Sequence, residues 1–259
     1  MKFKTLFIVA IWLLFGLLSF AESPTRLSFI VEFGGNQVNT SLNERWNIRQ
    51  DVGSNYYDSN NSSNSVSADM YVTHFAVKPE ISLFEDKLAF SSGLRFSNIL
   101  SDLSVVGNSL NHKGFFYLLY NSTGLNTEYA RVNSINESSN YLGIPFDIKF
   151  VPFTLGKLDF YFKTGVELNY QLSSKTKINF VNESMNEYQQ PIIENVGLSL
   201  NDLYSTWSNS VGVTIGSKNK LRYNIEILLP SFFITKNNST IVNGDMFSGF
   251  KCSIQLPVR

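Results

Sequence analysis

The chain has 259 residues, and its 21 Lys plus Arg balance 21 Asp plus Glu, so no polybasic surface points to nucleic acid or anionic lipid. Aromatic residues are plentiful (14%) while charged ones are sparse (16%), and the single cysteine, Cys252, excludes an internal disulfide. Length allows one large all-β domain or two ordinary ones, and no Pro/Gly-rich linker divides the sequence.

The first stretch reads as an address. Lys2 and Lys4 precede an apolar run over residues 6–20, and Ser19-Phe20-Ala21 supplies small residues at −3 and −1 of a cleavage site. The run is shorter than the roughly 20 residues of a spanning helix. Residues 1–21 are therefore expected to be a cleaved secretory signal, leaving residues 22–259 as the exported domain.

Beyond it, apolar residues recur at every second position, the period of a strand whose side chains alternate between two faces. Residues 26–34 place Leu27, Phe29, Val31 and Phe33 against Arg26, Ser28, Ile30 and Glu32. A polar, Asn/Ser-rich stretch over 36–67 reads as a long loop. Residues 69–84 alternate again, and Glu85-Asp86-Lys87 reads as a tight turn into a third strand over 88–97. Residues 100–140 are the least readable. Segments 115–120 and 127–132 form either an extra pair of strands, making ten, or a hairpin within a long loop; the second is favoured because FFYLLY lacks alternation. Residues 141–150 and 158–172 alternate strictly about a short turn over 154–157, a hairpin signal. Another long polar connection over 175–202 leads to strands over 206–215 and 221–229, joined by a Ser217-Lys218-Asn219 turn. A last loop over 231–246 leads to a strand over 249–256.

The preferred count is eight strands, and the connections run long, short, long, short, long, short, long. An antiparallel up-and-down barrel would gather every long loop at one end, with the turns and termini at the other, as in transmembrane β-barrels with short periplasmic turns and long external loops. The charges give a second test. Arg26, Glu32, Lys78, Glu80, Arg95, Asp147, Lys149, Asp159, Lys163, Glu167, Arg222, Glu226 and Lys251 all fall opposite the apolar phase. That segregation suits a barrel with one face toward hydrocarbon, where a mid-bilayer Lys or Arg costs roughly 2–4 kcal/mol. Gly93, Gly143, Gly165, Gly212 and Gly249 share the charged phase, as a crowded interior requires. Phe33, Tyr71, Phe96, Tyr170 and Trp207 near the long loops, with Phe150, Phe160 and Tyr223 toward the other end, resemble two aromatic girdles. A soluble lipocalin-like barrel, apolar phase inward around a lipid ligand, is the alternative.

The segment YLGIPFDIKF, followed by a turn and FYFKTGVELNYQLSS, resembles the central hairpin of the outer-membrane β-barrel domain family of Bacteroidota, the PorT-like group of small porin-family barrels. The match covers residues 141–173. The resemblance implies an eight-stranded barrel in the bacterial outer membrane without an established activity. The chain departs from many such barrels in ending Leu256-Pro257-Val258-Arg259 rather than on an aromatic residue.

Eight strands leave an interior just wide enough to be filled by side chains. Arg95, Asp147, Lys149, Asp159, Lys163, Glu167, Arg222, Glu226 and Lys251 are expected to form an ion-paired lumen; the competing reading is a narrow passive channel. Pro145 lacks a ladder donor and calls for a bulge or a missing hydrogen bond. His74 is expected to be packed inside. His112 has Ser109, Asn111 and Asp102 nearby, residue types of a hydrolytic site, but nothing fixes their geometry. One cysteine and two distant histidines build no metal cluster, and no phosphate-binding glycine loop occurs, so no cofactor and no enzymatic activity are expected. The expected role is a non-enzymatic, monomeric barrel in outer-membrane lipid. Its loops would contact other envelope proteins or surfaces through Tyr56, Tyr57, Phe115, Phe116, Tyr117 and Tyr188, with no nucleic-acid partner.

Overall fold

In the computed structural model, described over residues 26–49, 66–105, 114–123, 126–197, 200–235 and 238–258, the alternating segments become the staves of one antiparallel sheet closed on itself. The strands are β1 (Arg26–Leu42), β2 (Ile48–Arg49), β3 (Val66–Leu83), β4 (Leu88–Ser92), β5 (Leu94–Val105), β6 (Phe116–Thr123), β7 (Asn126–Leu155), β8 (Leu158–Phe180), β9 (Leu203–Ile215), β10 (Arg222–Phe233) and β11 (Val242–Pro257). β1 pairs with both β3 and β11, which closes the ring. Going round, β3 pairs with β4 and β5, these with β7, and β7, β8, β9, β10 and β11 follow in order. β4 and β5 are two halves of one stave, so the ring has eight. The fold is an antiparallel up-and-down barrel. β6 lies outside the ring: it pairs with the first residues of β7 and carries the two-residue β2 on its far edge. The hairpin reading of residues 114–132 therefore holds over the ten-strand one.

The break between β4 and β5 explains Pro145. Ser92 pairs with Phe146 and Arg95 with Gly143, so the register sets Gly93 opposite Pro145. Proline has no N–H to give the ladder, and the pairing lapses there and at the neighbouring Leu94–Ile144 position. Toward β3, Gly93 approaches so closely that a Cβ would strike the Val77 carbonyl. On its other side Pro145 stays in register with Glu167 of β8. The missing hydrogen bond, rather than a bulge, is what the sheet accommodates.

Short turns gather at one end. Gly156-Lys157 joins β7 to β8, with Gly156 at φ 62 where a two-residue hairpin requires a positive φ. Phe84, Glu85 and Asp86 all adopt positive φ between β3 and β4. Non-glycine residues rarely do so, and here Asp86 is held by Arg26 at 3.3 Å and Lys218 at 3.2 Å, tying this turn to β1 and to the β9–β10 turn.

The strands run well past the limits expected from the sequence. β1 continues to Leu42 and β5 to Val105, β7 begins at Asn126 and β8 reaches Phe180, so much of what reads as loop over 36–67, 100–140 and 175–202 is sheet. The last of these stretches also carries a 3-10 turn, Glu183–Tyr188, and helix α1 (Gln189–Val196). Polarity inverts along the staves. Near the turns the outward face exposes Phe29, Phe75, Phe96, Ile148, Phe162, Val211, Ile225 and Phe250, while Glu32, Lys78, Arg95, Asp147, Lys163 and Glu226 are buried inside. Toward the long loops the inward residues become Val38, Met70, Ile99, Leu103, Val132, Ile135 and Ile178, which form one apolar core. The outward residues there become a polar ladder: Asn98 donates to Ser138 and Asn140, and Asn179 donates to Ser134 and Asn136.

Candidate functional site: a charged interior beneath an outer crevice

The inward side chains near the turns are charged on nearly every stave, and burial forces them to pair. Glu32 on β1 is the hub. Its carboxylate accepts from Lys78 of β3 at 2.7 Å, Arg95 of β5 at 2.7 Å and Lys163 of β8 at 3.4 Å. Each cation has a second acceptor: Lys78 reaches Asp147 at 2.8 Å, Arg95 reaches Glu167, and Lys163 reaches Glu226 at 2.5 Å. Ser210 also donates to Glu226. Closer to the turns, Lys149 and Gln255 both donate to Glu80, and Arg222 pairs with Asp159. Lys149 also sits 5.4 Å from the centre of the Tyr161 ring.

Inward glycines make this crowding possible. A Cβ on Gly165 would lie 2.7 Å from the Phe146 carbonyl oxygen, and one on Gly212 would lie 2.6 Å from the Tyr161 hydroxyl. Neither position has room for a side chain.

Of the nine interior residues expected from the sequence, Arg95, Asp147, Lys163, Glu167 and Glu226 meet in the network around Glu32. Lys149 belongs to the Glu80 cluster, and Asp159 and Arg222 to a separate pair. Lys251 is buried above the network and lines a small pocket with His74, Arg95, Glu167 and Tyr204. That pocket holds about 20 Å³, room for roughly one water. His74 is packed inside with Nε2 3.5 Å from Glu32. Glu32, Lys78 and Glu80 complete the cluster although the nine omitted them. Their inward phase was legible, but only closure of β1 against β11 and β3 shows whom they meet.

Above the pocket the apolar core fills the barrel, and a crevice opens at its outer end. Trp46, in the 3-10 turn Glu44–Trp46, is 1% exposed and donates from Nε1 to the Thr240 carbonyl at 2.8 Å. Thr240 in turn donates from its backbone N to Glu137 Oε1 at 3.0 Å. Gln171, Ser174 and Thr176 of β8 form one wall and Ile193 and Val196 of α1 another; Leu200 and Asp202 complete a volume of about 280 Å³.

The loop aromatics are distributed differently from the expected contact surface. Phe116 is fully buried in the outer core, and Phe115 is 5% exposed with its ring 5.5 Å from Tyr117 and beneath Arg131. Tyr188 is exposed beside Tyr120 at 5.8 Å. Tyr56, Tyr57, Ser109, Asn111, His112 and the signal segment lie outside the described residues. Among the described residues no group of three or more His, Cys, Asp or Glu could hold a metal.

No protein family and no curated protein matches the sequence. Among solved structures, the chain is similar to the outer membrane protein OprG from Pseudomonas aeruginosa, with 10% identity over 92% of this chain and 100% of that one, at a TM-score of 0.39. It is also similar to the translocator domain of the autotransporter NalP from Neisseria meningitidis, with 7% identity over 92% and 90% of the two chains and a TM-score of 0.28. For the transport unit of the autotransporter AIDA-I from Escherichia coli the values are 7%, 93%, 92% and 0.26.

Proposed function

We propose that the chain is a non-enzymatic barrel of the bacterial outer membrane, with an occluded interior and an outer end that makes its contacts. The observation that carries this reading is the exposed apolar belt. Phe29, Phe75, Phe96, Ile148, Phe162, Val211, Ile225 and Phe250 come from staves all round the ring and face outward together. Water-soluble monomers rarely expose apolar patches beyond a few hundred Å², whereas hydrocarbon requires such a band. A lipocalin-like barrel would set these residues inward and the charges in water.

Closure pairs every stave on both sides, as a bilayer demands, save at the Gly93–Leu94 seam facing Pro145 and Ile144. It also leaves no long edge to recruit a second copy, which favours a monomer. The paired charges and the apolar core above them favour an occluded interior over a passive channel. Residues 1–21 favour export, and the hairpin over residues 141–173 favours the PorT-like group as the finer assignment. The contacts, with surface molecules or other envelope proteins, fall to the outer sheet and loops.

Heat-modifiable gel mobility of the washed membrane fraction tests the reading. A folded barrel migrates apart from its boiled form. Identical migration, or recovery of folded protein without detergent from the soluble fraction, would contradict it.

A further inference from the structure

We infer that the crevice between α1, the outer run of β8 and the last loop binds a single sugar ring that is neutral or carries an amine. The inference deepens the proposed function, since it rests on that end of the barrel facing outward. A sugar ring offers an apolar C–H face and a rim of hydroxyl donors, so its site needs an apolar wall opposite acceptors. The crevice has both. Ile193, Val196 and Leu200 supply the apolar side and Gln171 and Asp202 supply acceptors, while the buried Glu137, which already accepts from Thr240 and Thr176, adds negative charge. Both charged groups in the lining are carboxylates, and neither Lys nor Arg lines it among the described residues. Amines are attracted there, and uronates and sugar phosphates are repelled.

The volume of about 280 Å³ lies near the lower bound of ligand pockets, which holds one substituted ring and excludes a long chain. It far exceeds the roughly 20 Å³ left in the interior below. The walls are fixed in advance. Trp46 is bonded to Thr240, Thr240 to Glu137, the Gln171 backbone N to the Asp202 carbonyl at 2.8 Å, and the Ile178 backbone N to Gln189 at 3.1 Å. These bonds tie the loops and α1 to the sheet, so little ordering remains for binding to impose.

Saturation-transfer NMR on the full chain, folded in a sugar-free zwitterionic detergent, tests the site with glucosamine, N-acetylglucosamine and glucuronate. Transfer is expected to the first two, with glucuronate about tenfold weaker or absent, a like-charge penalty of about 1.4 kcal/mol. Val196→Trp fills the crevice and should abolish transfer. Ser174→Arg, at an exposed position of β8, halves the charge of the lining and should weaken glucosamine and narrow its advantage over glucuronate. Competition by a hexosamine glycolipid added to the micelles would mark a membrane glycan as the source; its failure to compete would mark a soluble one. No transfer to any sugar, equal transfer to all three, or transfer that survives both substitutions would overturn the site. Heat-modifiable mobility of each sample keeps the two readings separate: a barrel that shifts on boiling yet binds nothing refutes the crevice alone.

Discussion

Glu32 is the residue on which the interior depends, because three cations from three other staves converge on its carboxylate. Glu32→Gln leaves Lys78, Arg95 and Lys163 under-compensated in a buried site, and breaking such pairing costs roughly 3–5 kcal/mol. A matching fall in the urea midpoint of the detergent-folded protein is expected; an unchanged midpoint would mean that the charges are solvated. Pairing rather than charge itself carries the stability, so Glu80→Leu with Lys149→Met should cost less than Glu80→Leu alone, which strands the ammonium. A double-mutant cycle reads the difference. At this scale the sequence was partly legible. The inward phase of every interior charge could be read from alternation, but partners could not, since pairs such as Glu32–Lys163 lie 131 residues apart and meet only through closure. Phe115 and Phe116 were harder still. Aromatics in a stretch without alternation resemble loop anchors until β6 is seen folding Phe116 against the outer core and Phe115 is seen packed between Tyr117 and Arg131.

Along a single element, β7 shows why the outer barrel escaped the sequence. From Leu142 to Phe150 the apolar positions are even and face out; at Ile135 and Val132 the apolar residues instead face in, and Asn136, Ser138 and Asn140 face out. The backbone alternation runs unbroken from Ile135 to Phe150, with an extra residue at Asn133 turning Val132 inward as well, but the apolar phase changes sides near Tyr141, so a reading that follows apolar residues ends the strand there. On the proposed membrane placement, the physical cause is a change of surroundings, from hydrocarbon outside to water outside, with the core moving from charged to apolar. A depth-dependent response follows. Phe162→Arg on the belt should cost roughly 2–4 kcal/mol, and Asn140→Arg on the polar ladder about 1 kcal/mol or less. Urea titration of protein folded in vesicles measures both, and equal costs would place both residues in one environment. The Pro145–Gly93 position was half legible: the lost hydrogen bond was foreseeable, its location opposite the seam of β4 and β5 was not.

For the whole molecule, the ring of eight and the gathering of short turns at one end could be read from the order of connections alone, because turn length is a local property. The braced crevice could not, since it depends on contacts such as Trp46–Thr240 between loops distant in sequence, and neither could α1, which is held to a part of β8 that reads as loop. An interior sealed by paired charges beneath an apolar core should be electrically silent in planar bilayers. Steady unitary openings that respond to charge reversal at Lys163 would show a conducting path instead. The placement of the belt against lipid is the claim on which the rest stands, and the protein carries its own probe. Cys252 is the sole cysteine, exposed on the outward face of β11 and paired in register with Phe33 and Ile225. A bimane label on Cys252, in protein folded into vesicles of brominated lipid, should be strongly quenched by the acyl chains and shielded from aqueous iodide. Quenching by iodide without quenching by brominated chains would put this face in water and contradict the membrane barrel.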